Sequence, residues 1–312
     1  MRRHVNMVVV GSTRAWCAMV LSAMMVTSAS AQAARAGDAR NTEMRGILLG
    51  TGYPRPDPER AGPSTAVVVG EKVFVVDSGR GVTARYVGAR LLLKNLHAVF
   101  LTHLHSDHIS GLPDLFNTSW IFGRENALEL YGPPGTREMA AALLQFFAVD
   151  IPIRRDRTEM NPAAGATINT HILVEGVVYA DTDVRVTAFR VDHEPVDHAF
   201  GLRFDSRSRS IVVSGDTRPC ASLIEHARGA DILVQEAYLS EHFAHGKDVE
   251  ISARLAAYHT TAEEAGRIAE AAQVKTLILT HLIPSHADQE LLELAHKHFQ
   301  GNVIVGADLM EF

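Results

Sequence analysis

Four short apolar runs in this chain lead straight to a histidine or an aspartate, and no other feature constrains the fold as much. "HAVFLT" 97–102 meets His103, "DVRVTAF" 183–189 is followed closely by His193, "SIVVSGD" 210–216 ends on Asp216, and "KTLILTH" 275–281 ends on His281. Polar side chains that follow strand-like segments so closely sit on the edge of a rigid sheet, where several can converge. The first is the densest: "LTHLHSDHIS" 101–110 holds His103, His105, Asp107 and His108 within six consecutive positions. Hidden without partners, such groups cost free energy, and an unpaired charge costs most. Imidazole and carboxylate at that density suit a divalent cation, zinc first, with manganese or iron as alternatives.

His103 and His105 lie two apart where a strand would end, so both rings can face one ion, while Asp107 and His108 pass the turn toward a second. This stretch supplies four ligands at most, so two complete sites need His193, Asp216 and His281 as well. One carboxylate, that of Asp216, can serve both ions.

Further apolar runs, "GILLG" 46–50, "TAVVVG" 65–70, "KVFVVD" 72–77, "DILVQE" 231–236 and "NVIVG" 302–306, are short and rich in β-branched residues, as strands are. In "TAEEAGRIAEAA" Ala262, Ala265, Ile268, Ala269 and Ala272 share one helical face, and helices are also expected in 133–148 and 288–299. Strands cluster early and alternate with helices later, which predicts an α/β fold of sheets covered by helices. No short-period repeat or low-complexity linker interrupts residues 44–312, and one domain is expected there.

The N-terminus reads differently. Arg2 and Arg3, the short apolar middle of "AWCAMVLSAMMVTSASA" and the small residues Ala29 and Ala31 form a secretory signal pattern. Residues 1–31 are therefore expected to be a signal peptide and 32–43 a flexible lead-in, with a periplasmic or secreted product and no membrane span. Cleavage removes three arginines and no acid, taking the formal charge from -6 to -9, and leaves Cys220 without a disulfide partner. No long basic run offers a grip on a polyanion.

"THLHSDHISGLPDL" resembles the HxHxDH signature of the metallo-β-lactamase fold superfamily, and the later order His193, Asp216, His281 fits it too. The resemblance spans roughly residues 46–310 and implies an αββα sandwich of two mixed β-sheets flanked by helices. It assigns His103, His105 and His193 to one ion, Asp107, His108 and His281 to the other, and Asp216 to both. "VQEAYL" 234–239 and "YHTTAEEA" 258–265 resemble the HEAT and HST segments of the ribonuclease Z branch, which implies that Glu236 and His259 stand beside the metals. "GTGYPRPDPERAGPST" and "VDHEPVDHAFGLRFD" are closer still to secreted arylsulfatase-like members. The resemblance also suggests a homodimer.

These assignments imply a hydrolase. Two ions sharing a water make hydroxide available near neutral pH. Asp107 would orient it, and His259, held by Glu236, would protonate the departing oxygen. The expected substrate is a small anionic ester, in an arylsulfatase or phosphodiesterase reaction. A ribonuclease Z-like endoribonuclease is the alternative, with a β-lactamase or a non-catalytic metal-binding protein behind it. The ribonucleases usually carry a long arm between the segments matching His193 and Asp216; here those residues are 23 positions apart. With an acidic exported chain, this predicts no nucleic-acid partner. Arg60 is read either as a solvated loop residue or as facing an anionic substrate. His97, His171, His198, His226, His242, His245, His286, His296 and His298 are assigned to the surface or to ordinary packing, with His198 singled out because it sits close to His193 in sequence.

Overall fold

The computed structural model describes residues 43–243 and 249–312. The signal segment 1–31, the lead-in up to residue 42 and His245 lie outside the described residues. The early apolar runs form β1 (Met44–Gly50), β2 (Ser64–Val69), β3 (Lys72–Val76) and β4 (Leu96–Phe100). With β5 (Leu128–Gly132) and β6 (Ile168–Ile172) they make a six-stranded sheet in chain order. β1 to β3 are an antiparallel meander, and β3 to β6 run parallel.

The second sheet holds β7 (Gly176–Ala180), β8 (Val184–Arg190), β9 (Phe200–Ser206), β10 (Ser210–Val213), β11 (Ile232–Tyr238), β12 (Thr276–Ile283) and β13 (Asn302–Val305), again in chain order. It repeats the plan: β7 to β10 are antiparallel neighbours, and β10 to β13 are parallel. Helices α1 (Val82–Gly88), α2 (Ser106–Ile109), α3 (Leu112–Ile121), α4 (Thr136–Phe146) and α5 (Asp150–Asp156) fall within the first half of the chain. In the second half follow α6 (Ala221–Ala227), α7 (Val249–Ala256), α8 (Ala262–Ala272) and α9 (Asp288–His296).

Alternation along each strand explains the layering. Val67, Val69, Phe74 and Val76 face the other sheet and pack with Val186, Phe204, Val234 and Ile278. Their neighbours Ala66, Val68, Val73 and Val75 meet Tyr86 of α1, Leu115 and Phe116 of α3 and Leu143 of α4. On the far side Leu233, Leu277 and Leu279 pack on Ile268 and Ala269 of α8 and Leu291 of α9. Strands buried on both faces must be apolar at every position, which is why these segments read as unbroken runs. Each fully buried Val, Leu or Phe contributes about 1.5–3 kcal/mol. The expected αββα sandwich is the fold observed.

β5, β6, β7 and β9 were not anticipated. β6 and β7 are edge strands, and neither has a fully buried residue to give it an apolar run. β5 and β9 interrupt their apolar pattern with charge. Glu129 accepts hydrogen bonds from Asn169 of β6 at 2.7 Å and pairs with His171 at 2.6 Å, and Arg203 pairs with Asp205 at 2.9 Å. Among the described residues no helix is long and apolar enough to cross a membrane.

Direction in the sheets sets the site. β3 and β4 are parallel, and β8 points the same way as β10 to β12 because two antiparallel steps separate β8 from β10. The residues that follow these strands therefore leave each sheet at the same end.

Candidate metal centre

That end gathers all seven anticipated ligands. His103, His105, His193 and Asp216 form one group whose ligand atoms lie within 4.8 Å of one another, and Asp107, His108 and His281 form another. Asp216 Oδ2 lies between them: His108 Nε2 and His281 Nε2 are each 3.3 Å away, His103 Nε2 3.8 Å and His193 Nε2 4.0 Å. His105 Nδ1 faces His103 Nε2 at 3.0 Å and His193 Nε2 at 3.3 Å. Asp107 Oδ2 is 3.3 Å from His281 Nε2 and 3.5 Å from His108 Nε2.

Three of these rings are held by the nitrogen that points away. His108 Nδ1–H donates to Asp77 Oδ2 at 2.8 Å, and His193 Nδ1–H donates to the Tyr258 carbonyl at 2.8 Å. Thr102 Oγ1 donates to Asp77 Oδ2 at 2.8 Å, so it accepts from His103 Nδ1–H at 3.0 Å. Each ring thereby presents an Nε2 lone pair to the cluster, the tautomer a metal requires. Asp77 and Thr102 thus position ligands without belonging to the ligand set. Sequence reasoning had passed over both, although an acid closing the run "KVFVVD" was a signal of the kind used for Asp216.

The donor set fits divalent cations. Asp77, Asp107, Asp216 and Glu236 are all buried. Their ion pairs among the described residues are with histidines alone, never with lysine or arginine. Buried carboxylates need a counter-charge. His108 Nε2 and His281 Nδ1 are buried with no hydrogen-bond partner, and His108 Nε2 points at two carboxylates. Burial keeps His103 well below the ordinary histidine value, and it lowers His105 and His193 as well, so these rings are neutral ligands at neutral pH. Burial works against charge on His108 too, but Asp216 and Asp77 outweigh it and hold His108 well above the ordinary value. The acids call for positive charge at this point, which a cation would supply.

Glu236, in β11, and His259, just before α8, are in contact: His259 Nδ1 is 2.9 Å from both carboxylate oxygens and 4.0 Å from Asp216 Oδ2. Thr217 N–H donates to Glu236 Oε1 at 2.8 Å and fixes that carboxylate. Burial opposes a charged His259, but Glu236 prevails and raises it to about 9.

Arg60 is neither of the things expected. It is buried, with Nη2 2.9 Å from Asp288 Oδ1 and Nη1 donating to Thr51 Oγ1 at 2.8 Å and to the Gly306 carbonyl at 2.7 Å. It clamps the 51–62 loop to α9 and to the segment after β13, and Thr51 in turn accepts the Leu282 N–H beside His281 at 3.0 Å. His198 is exposed and bonded to Arg190, outside the cluster.

Residues 74–282 match the family described as "Beta-lactamase superfamily domain". The protein named Ribonuclease Z of Mycobacterium marinum is 39% identical over 269 residues, covering 84% of this chain and 95% of that protein. Its namesake from Mycobacterium sp. (strain KMS) is 42% identical over 245 residues, 76% of this chain and 83% of its own length. Among solved structures, the metallo-beta-lactamase fold protein YhfI from Bacillus subtilis superposes with a TM-score of 0.68 at 22% identity, covering 86% of this chain and 99% of that one. The short form of human tRNase Z gives 0.65 at 22%, over 86% and 98%. At those identities the structural likeness is one of fold.

The relatives overturn the expectation that nucleic acid is no partner of this chain. That expectation rested on the short span from His193 to Asp216 and on net acidity. Yet the chain spans 95% of a protein that bears a ribonuclease name, which leaves little length for an additional arm. Net charge is an average over the molecule, whereas a grip on phosphate is local.

Proposed function

This chain belongs to the metallo-β-lactamase fold superfamily, in the branch that holds the ribonuclease Z proteins, and from that premise we propose that it hydrolyses phosphodiester bonds in RNA. It is a metal-dependent hydrolase. The finer reading is supported by one conjunction: 39% identity across nearly the whole of a ribonuclease Z protein, with the Glu236–His259 pair in contact beside the seven clustered donors. In this reading His103, His105 and His193 hold one cation and Asp107, His108 and His281 the other, with Asp216 between them.

When bound, the cations would supply Lewis acidity toward the phosphate and an acidified water as nucleophile. The chain's own groups do the rest. Asp107 would accept a hydrogen bond that aims the attacking water. His259 shows Nδ1 to Glu236, so Nε2 is the nitrogen left to hand a proton to the departing oxygen. Held near 9, His259 is protonated at neutral pH, as a general acid must be.

The test is a substrate screen of the purified protein supplied with zinc or manganese. A transfer-RNA precursor and bis-p-nitrophenyl phosphate should turn over, and p-nitrophenyl sulfate and nitrocefin should not. Hydrolysis of the sulfate with no cleavage of RNA would sink the reading.

A further inference from the structure

We propose that Arg80 forms a phosphate subsite next to the metal centre, gripping the phosphate adjacent to the scissile one in a polynucleotide. The inference rests on the phosphodiesterase reading above. A pocket of about 380 Å³ opens beside the cluster; Asp107 lines it together with Arg80, Pro54, Ser106 and Ser110. It therefore adjoins the ligand set directly, and its wall carries the Arg80 guanidinium as well as the exposed Asp114 carboxylate.

Several partly exposed arginines of this chain are spent on carboxylates. Arg85 pairs with Asp308 at 2.9 Å, Arg203 with Asp205 at 2.9 Å and Arg218 with Asp192 at 2.7 Å. Half-buried Arg80 has no such carboxylate among the described residues, and its side-chain contacts are long: Nη2 lies 3.5 Å from the Tyr53 carbonyl and 3.4 Å from that of Arg55. A guanidinium offers a fork of donors that matches phosphate oxygens, and here most of that fork is unspent.

Its main chain is fixed. The Arg80 carbonyl accepts the Gly62 N–H at 2.8 Å. A Cβ on Gly79 would lie 2.4 Å from the Gly62 carbonyl carbon and 2.7 Å from the Asp107 oxygen, and one on Gly111 would lie 2.1 Å from the Gly79 oxygen. Bare backbone at these positions packs the Arg80 segment against the Asp107 segment. The Arg80 backbone is thereby fixed beside the Asp107 segment, while its side chain makes only the two long contacts.

A small diester carries one phosphate and so offers no second phosphate to Arg80 while the first is at the metals, which gives the experiment its contrast. Arg80→Ala, Arg80→Lys and the unaltered protein, each checked for an unchanged melting curve and metal content, are assayed on bis-p-nitrophenyl phosphate and on a short oligoribonucleotide across a salt series. In Arg80→Ala the oligoribonucleotide KM should rise about tenfold, and the log–log salt slope should flatten by about 0.7. Bis-p-nitrophenyl phosphate kinetics should stay as they were, and Arg80→Lys should recover part of the loss. Equal losses on both substrates, or no change on either, overturn the subsite and leave the RNA reading standing. If the unaltered protein cleaves the small diester but neither the oligoribonucleotide nor a transfer-RNA precursor, the RNA reading falls and takes the subsite with it.

Discussion

His108 can serve the cluster only because Asp77 takes its other nitrogen. Asp77 sits at φ 60°, a left-handed conformation that asparagine also tolerates, so Asp77→Asn keeps both shape and backbone. It replaces an acceptor with an amide that can present N–H to His108 Nδ1, which would move the ring proton to Nε2 and remove the lone pair. Metal affinity should fall about 10–100-fold, read as lost metal per chain by elemental analysis after dialysis, with the folded circular-dichroism spectrum retained. All seven residues that the structure brings together were legible in the sequence because each follows an apolar run or lies in the dense 103–108 stretch. Asp77 closes such a run too, but what distinguishes it is contact with Thr102 and His108, and that is set by the parallel pairing of β3 with β4. Arg60 was misread for a related reason: its carboxylate partner, Asp288, lies 228 positions away.

At the scale of elements, α8 shows how a local signal positions a chemical group. Thr261 Oγ1 accepts the Glu264 N–H at 3.1 Å, and Glu264 Oε2 accepts the Thr261 N–H at 3.0 Å, a reciprocal cap at the start of the helix. The residue before it is pinned as well: the Thr260 carbonyl accepts the Tyr238 N–H at 3.0 Å, and its Oγ1 donates to the Thr217 carbonyl at 2.5 Å. His259 thus enters the site from a doubly fastened turn. Thr261→Ala should cost about 1 kcal/mol, seen by denaturant titration as a lower midpoint at constant slope. This helix was readable from its apolar face and early acids. β5, β6, β7 and β9 were not: β6 and β7 are edge strands with few buried apolar positions, and in β5 and β9 charged residues break up the apolar core positions.

The molecule as a whole has to reconcile a sandwich held by apolar contacts with four buried acids at one end. Cations at that end offset a charge the core cannot neutralise, so metal and fold are thermodynamically linked. Zinc at a hundredfold excess over its dissociation constant adds about 2.7 kcal/mol, which for a domain of this size raises Tm by roughly 5–10 °C. Calorimetry of chelated against reloaded protein checks this, and identical melting curves would show that the acids are neutralised in some other way.

Ligands from β4, β8, β10 and β12 also have a consequence in time. During synthesis His103, His105, Asp107 and His108 are made first, and His281 follows far later in the chain. A polypeptide cut short anywhere before residue 281 would therefore lack a complete second set of donors, however much of the first sheet it had formed.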